Sequence, residues 1–304
     1  MKRYLILNVS LLLLVFSCVT WAQQAPFSES VKIRFSKSAT DRRLVDKDAT
    51  LVLDDSVRKL TVRNQEHPLD VGYGDVQKVV FDVSTRMRGG AMSQMVGGLA
   101  GSAIASKHVS HYWCYLEYKA PEGTARPYML EIPKESSEKV IERMKAIFGD
   151  KVTIAEFPEH EEKIEKNTLK DLQSKHDLRV DEKSHPLPEL KPEKALVVVV
   201  CPPLAARYEG KGVQYKLHAN DQVVAVNKMG TYSFAYLDPG DYLLVSQTEN
   251  ASGFHMSLEA GKDYYFLQDS FMGAWKAHTT LTRHTKELVM YELDGAYFSD
   301  WKRK

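Results

Sequence analysis

The sequence predicts a mainly β protein of two domains: a β-barrel with one C-terminal helix, then a charged linker, then a small antiparallel β-sandwich. Three observations predict it. Short runs of alternating apolar and polar residues, bounded by turn residues, recur over most of the chain. One stretch, Val140 to Phe148, instead carries the spacing of an amphipathic helix. Residues 151–194, between the two β-rich parts, are dominated by charge and punctuated by proline. At 304 residues the chain is long enough for two cores, and its 43% hydrophobic content can fill them.

The N-terminus is the most specific signal. Lys2 and Arg3 precede an apolar run from Tyr4 to Phe16, followed by Thr20-Trp21-Ala22 and polar Gln23-Gln24. That order is the one of a secretory signal peptide spanning residues 1–22, with cleavage after Ala22. The apolar run falls short of the roughly 20 residues needed to cross a bilayer as a helix. Val15-Phe16-Ser17-Cys18 loosely resembles a lipobox, which makes lipidation of Cys18 an alternative. The mature chain is thus expected outside the cytoplasm, in the periplasm or the cell envelope. It keeps two cysteines, Cys114 and Cys201, read as buried structural thiols, with a single bridge between domains as the alternative.

The first domain is expected over residues 31–150. Ala49 to Asp55 and Lys59 to Arg63 alternate around a turn at Asp54-Asp55-Ser56. Asp75 to Thr85 continues with Val79, Phe81 and Val83 on one face, and His111 to Tyr118 has the aromatic richness of a strand. Tyr128 to Ile132 is the last strand. Val140, Ile141, Met144, Ile147 and Phe148 then form the apolar stripe of a helix, with Ser136 or Ser137 as N-cap and Gly149 past its end. This order, with Gly72-Tyr73-Gly74-Asp75-Val76-Gln77-Lys78-Val79, the Gly-rich stretch after it and His108 to Tyr118, resembles the bacterial pleckstrin-homology-like domains. The resemblance implies a barrel closed by one helix.

The second domain is expected over residues 195–304. Leu196 to Val200 is a continuous apolar run, as in a strand buried on both faces. Val213 to Leu217 and Val223 to Val226 flank a hairpin turn at Asn220-Asp221. Tyr232 to Tyr236 is expected to turn at Asp238-Pro239-Gly240 and return as Tyr242 to Val245. Phe254 to Leu258 and Tyr264 to Phe266 are read as another pair across Ala260-Gly261-Lys262. Ala195 to Val200, Gly230 to Phe234, Asp238-Pro239-Gly240-Asp241-Tyr242 and Gly261-Lys262-Asp263-Tyr264-Tyr265-Phe266 resemble the bacterial family named domain of unknown function 2846. The resemblance implies a β-sandwich common in exported proteins, and no reaction.

Motifs for chemistry are sparse. The net charge of +1 argues against a globally basic nucleic-acid binder. His108 and His111 lie three apart in a strand, so they point to opposite faces and cannot chelate together. His160-Glu161 begins like a zinc-protease helix, but Ile164 stands where the second histidine belongs, and His278 and His284 share no ligand spacing. There is no Gly-x-Ser-x-Gly elbow, no Cys-x-x-Cys pair and no complete phosphate or dinucleotide loop. No metal, cofactor or catalytic residue is therefore expected.

The unusual stretch is Gly89 to Ala105, uncharged, rich in small residues, and flanked by Arg86, Arg88 and Lys107. Its Met92, Met95, Val96 and Leu99 could enter a membrane interface while the cations meet anionic head groups. The alternative is a loop whose apolar residues fold back on the barrel. The functional expectation is a non-enzymatic exported envelope protein that binds a protein or lipid partner, with peripheral membrane contact as one form of it. Two other readings stay open: a hydrolase or other enzyme whose residues meet only in space, and a structural envelope adaptor.

Overall fold

The computed structural model describes residues 25–36, 44–87, 108–159, 162–164, 176–181, 187–203, 213–272, 277–294 and 296–303. Among the described residues the protein is mainly β, with two helices and open sheets. The first sheet contains β1 (Phe27–Ser36), β2 (Leu44–Asp54), β3 (Lys59–Arg63), β4 (Leu69–Gly72), β5 (Val76–Met87), β6 (His108–Lys119), β7 (Ala125–Ile132) and, past helix α1 (Lys134–Phe148), β8 (Val152–Glu156). Its spatial order is β4-β3-β2-β1-β7-β6-β5-β8. Two antiparallel meanders are thus joined where β1 pairs with β7, at Ile33 opposite Leu130.

The period-2 pattern explains the layer. In β1, Val31, Ile33 and Phe35 face a core shared with Leu51, Leu60, Val79, Phe81 and Leu116, while Lys32 and Arg34 face away. Helix α1 supplies Val140, Met144 and Phe148 to the same core, and its end is fixed by Gly149 at φ +56°, a left-handed conformation that favours glycine. Two expectations are corrected. The sheet does not close into a barrel, because β4 and β8 remain edge strands. The helix starts one turn earlier than expected, at Lys134 after Pro133, whose lack of an N–H costs nothing there. Ser136 and Ser137 sit in that first turn, donating their hydroxyls back to the carbonyls of Pro133 and Lys134.

Residues 151–194, expected as a solvated linker, contribute strands to the sheets. β8 pairs in parallel with β5, β9 (Glu162–Lys163) pairs with a strand of the second domain, and β10 (His176–Asp181) forms the edge of another sheet.

The second domain is a sandwich. Its strands are β11 (Ala195–Cys201), β12 (Tyr215–Ala219), β13 (Gln222–Asn227), β14 (Thr231–Leu237), β15 (Gly240–Gln247), β16 (Ala251–Leu258), β17 (Asp263–Met272), β18 (Ala277–His284) and, after helix α2 (Lys286–Leu293), β19 (Tyr297–Arg303). One sheet runs β10-β19-β14-β11-β17-β18 and the other β13-β12-β15-β16-β9. The Asn220-Asp221 hairpin forms as expected, with Ala219 opposite Gln222 and Asn220 at φ +54°. The other two expected pairings do not form. β14 and β15 lie in opposite sheets, as do β16 and β17, so the turns at Pro239 and Gly261 carry the chain across the end of the sandwich. In that arrangement consecutive strands bury their apolar faces against each other: Phe254 of β16 meets Phe266 of β17 with ring centroids 6.1 Å apart.

Candidate functional site

The site follows from the second face of each sheet. In β5, Val79 and Phe81 enter the first core, which turns Val80 and Asp82 outward, yet both are at most 2% exposed. What covers them is the other domain. Likewise β11 sends Ala195, Val197 and Val199 into the sandwich core and Leu196, Val198 and Val200 the opposite way. These join Trp113 of β6, Met129 of β7 and Leu288 and Val289 of α2 in one apolar cluster that spans the two domains.

Two polar clamps lie within this junction. Asp82 accepts a hydrogen bond from His284 Nδ1 at 2.9 Å through one carboxylate oxygen and from the Thr285 backbone N–H at 2.6 Å through the other. Thr285 is the N-cap of α2, its hydroxyl oxygen accepting from Leu288 N–H, so a carboxylate of the first domain sits at the positive end of a helix of the second. His284 Nε2 lies 2.7 Å from Thr282 Oγ1. Carboxylate, imidazole and hydroxyl in that order also make up a nucleophilic relay. Here, however, all three are at most 5% exposed, so no substrate carbonyl can approach Thr282 in this arrangement.

The second clamp centres on Arg34. Its guanidinium donates to Asp46 at 2.7 and 3.0 Å and to Glu292 of α2 at 2.7 Å, and it stacks 4.1 Å from the Trp113 ring centroid. Burial disfavours the cation, but attraction by Glu292 and bonding to Asp46 outweigh that, holding the Arg34 pKa above the ordinary arginine range. Burial also pushes the Glu292 carboxyl above the usual carboxylate range, with Arg34 opposing the shift. One oxygen of Glu292 has no hydrogen-bond partner among the described residues. Nearby, Lys78 of β5 pairs with Glu287, and the Tyr291 hydroxyl donates to the Arg34 carbonyl.

Beside these clamps the junction opens into a cleft of about 710 Å³. Its walls are Ser36, Leu44, Lys78, Tyr115, Glu117 and Pro127 from the first domain and Lys286, Glu287, Met290, Tyr291 and Asp294 from the second. Tyr115 donates its hydroxyl to Glu117 at 3.1 Å. Burial, then the neighbouring carboxylates, push the Tyr115 and Tyr291 phenols up, so both remain neutral donors across the ordinary pH range.

Of the residues singled out in the sequence as a contact segment, Arg86 lies in β5, while Arg88, Met92, Met95, Val96, Leu99 and Lys107 lie outside the described residues. Strands β5 and β6 pair out to Met87 opposite His108. His111 bonds to Glu131 at 3.0 Å, and among the described residues no group of three His, Cys, Asp or Glu side chains is placed to hold a metal. Cys114 and Cys201 are buried and not bridged to each other, and burial pushes the Cys114 thiol up. No helix among the described residues is long and apolar enough to cross a membrane. Sequence reasoning missed Asp82, His284, Arg34 and Glu292, because each clamp joins residues more than two hundred positions apart. The local signal was no more than a charged residue on the outward face of a strand. No family model, no curated protein and no solved structure matches the chain.

Proposed function

We propose that this chain is a non-enzymatic exported protein of the cell envelope that binds a protein or lipid partner with its two domains held as one unit. On this reading the first domain is a pleckstrin-homology-like roll and the second a sandwich of the domain of unknown function 2846 type. The observation that carries it is the use made of the buried ionisable groups: Asp82, His284, Arg34 and Glu292 bond to one another across the junction. Groups spent on docking two β-domains serve presentation of a surface rather than turnover of a substrate. The N-terminal segment supports the envelope location through the expected cleavage after Ala22, and the Gly-rich segment from Arg86 to Lys107 is the proposed membrane or partner contact.

Mass spectrometry of the mature protein together with affinity isolation from its native envelope tests this. Expected are an N-terminus at Gln23, or at an acylated Cys18, and a specific co-purified protein or lipid. An N-terminus at Met1, or no enriched partner, overturns the reading. Vesicle co-sedimentation with Met95→Ser and Leu99→Ser then separates lipid from protein, since loss of salt-insensitive binding to anionic vesicles assigns the segment to the membrane.

A further inference from the structure

We infer that the cleft between β6 and α2 binds a cationic peptide segment, its basic group held by Glu117 and Asp294 and its apolar neighbours by Tyr115, Met290 and Tyr291. The inference rests on the reading of the chain as a binding protein and names the site and the ligand chemistry. Its basis is the distribution of charge around the cleft. Lys78 and Glu287 neutralise each other across the junction. Lys286, also in the wall, has its ammonium shared with Asp263, 3.7 Å away and outside the lining, and lies 5.8 Å from the Tyr265 ring. Glu117 and Asp294 are left with no cationic partner among the described residues, although both line the cleft.

The remaining lining suits the same ligand. The hydroxyls of Tyr115 and Tyr291 are already committed to Glu117 and to the Arg34 carbonyl, so these residues contribute their rings. Aromatic rings beside uncompensated carboxylates attract a guanidinium or ammonium group twice, by ion pairing and through the ring quadrupole. Met290, Pro127 and Leu44 add apolar wall for the flanking residues. The volume of about 710 Å³ lies within the range of sites that enclose small ligands, which limits the bound segment to a few residues. An anionic ligand would face Glu117 and Asp294, while Lys78 and Lys286 are already engaged by Glu287 and Asp263.

Three fluorescein-labelled tripeptide amides test this by anisotropy on the mature chain: Arg-Phe-Arg, Gln-Phe-Gln and Glu-Phe-Glu. The cationic peptide is expected to bind saturably, at least about tenfold more tightly than the other two, and more weakly as salt rises. Glu117→Gln with Asp294→Asn is expected to weaken it by roughly tenfold or more without changing the melting temperature, since Asp294 is exposed and Glu117 half-buried. Asp294→Lys, at the exposed position alone, is expected to weaken it likewise and keeps the test decisive if the double variant folds poorly. Equal binding of the anionic or neutral peptide, unchanged affinity in Asp294→Lys, or no saturable binding of Arg-Phe-Arg overturns the inference. Failure of the broader reading looks different: Arg-Phe-Arg binds as expected while no envelope partner co-purifies.

Discussion

Replacing Asp82 with Ala removes the carboxylate of the first domain that bonds to His284 and to the N-cap of α2. The substitution leaves two donors without acceptors, His284 Nδ1 and the Thr285 N–H. A buried donor so orphaned costs roughly 1–3 kcal/mol, the lower end applying to Thr285, which is only partly buried. Loss of a negative charge at the N-terminus of α2 adds roughly 0.3–1 kcal/mol. The expected destabilisation is therefore about 3 kcal/mol, a large share of the roughly 5–15 kcal/mol that holds a typical protein folded. Asp82→Asn keeps one acceptor and is expected to cost about half as much, because its amide nitrogen confronts the second donor. Urea unfolding followed by tryptophan fluorescence, to which Trp113 in the junction contributes, measures both variants. In a double-mutant cycle with His284→Ala, the cost of Asp82→Ala should fall by at least about 1 kcal/mol, since one orphaned donor is already gone. A loss below about 1 kcal/mol for Asp82→Ala, or strict additivity with His284→Ala, would refute the clamp.

Three further outcomes are expected. Bonding to His111, against the opposing effect of burial and with help from Lys32 and Arg34, holds the Glu131 carboxyl below its ordinary value of 4.5. Glu131→Gln should therefore cost a modest amount of stability above that pH, and the deficit should disappear as pH falls through the lowered folded-state pKa; denaturation curves from pH 7 to 2 check the sign. In Gly253→Ala the new Cβ would fall 2.0 Å from the Leu244 carbonyl oxygen, so the β15–β16 pairing must shift; a loss at or beyond the upper end of the roughly 1–3 kcal/mol range for overpacking is expected, and a wild-type melting temperature would contradict it. A chain cut at a specific protease site inserted between Lys166 and Asn167 should elute from a sizing column as one species, because the shared apolar cluster and both clamps hold the halves together; separate elution would show the junction too weak to matter.

The amino-acid sequence by itself determined part of the local structure, though not helix α2 or the strands within residues 151–194. Alternation set which residues of β3 and β5 face a core, the helical stretch from Val140 to Phe148 placed α1, and Asn220-Asp221 placed a hairpin, because each depends on backbone geometry over a few residues. It also showed that Leu196 to Val200 must be covered on both faces, without showing by what. Only the tertiary structure decided that. Whether two neighbouring strands pair or stack depends on which faces must be buried, so the turns at Pro239 and Gly261 read as hairpins although they cross between sheets. The clamps and the cleft were equally illegible, since Asp82 and His284 are separated by 202 positions and a lone aspartate on a strand face looks like any solvated one. Packing of the second domain on the first removed water from that face, and a buried carboxylate must find donors where an exposed one need not.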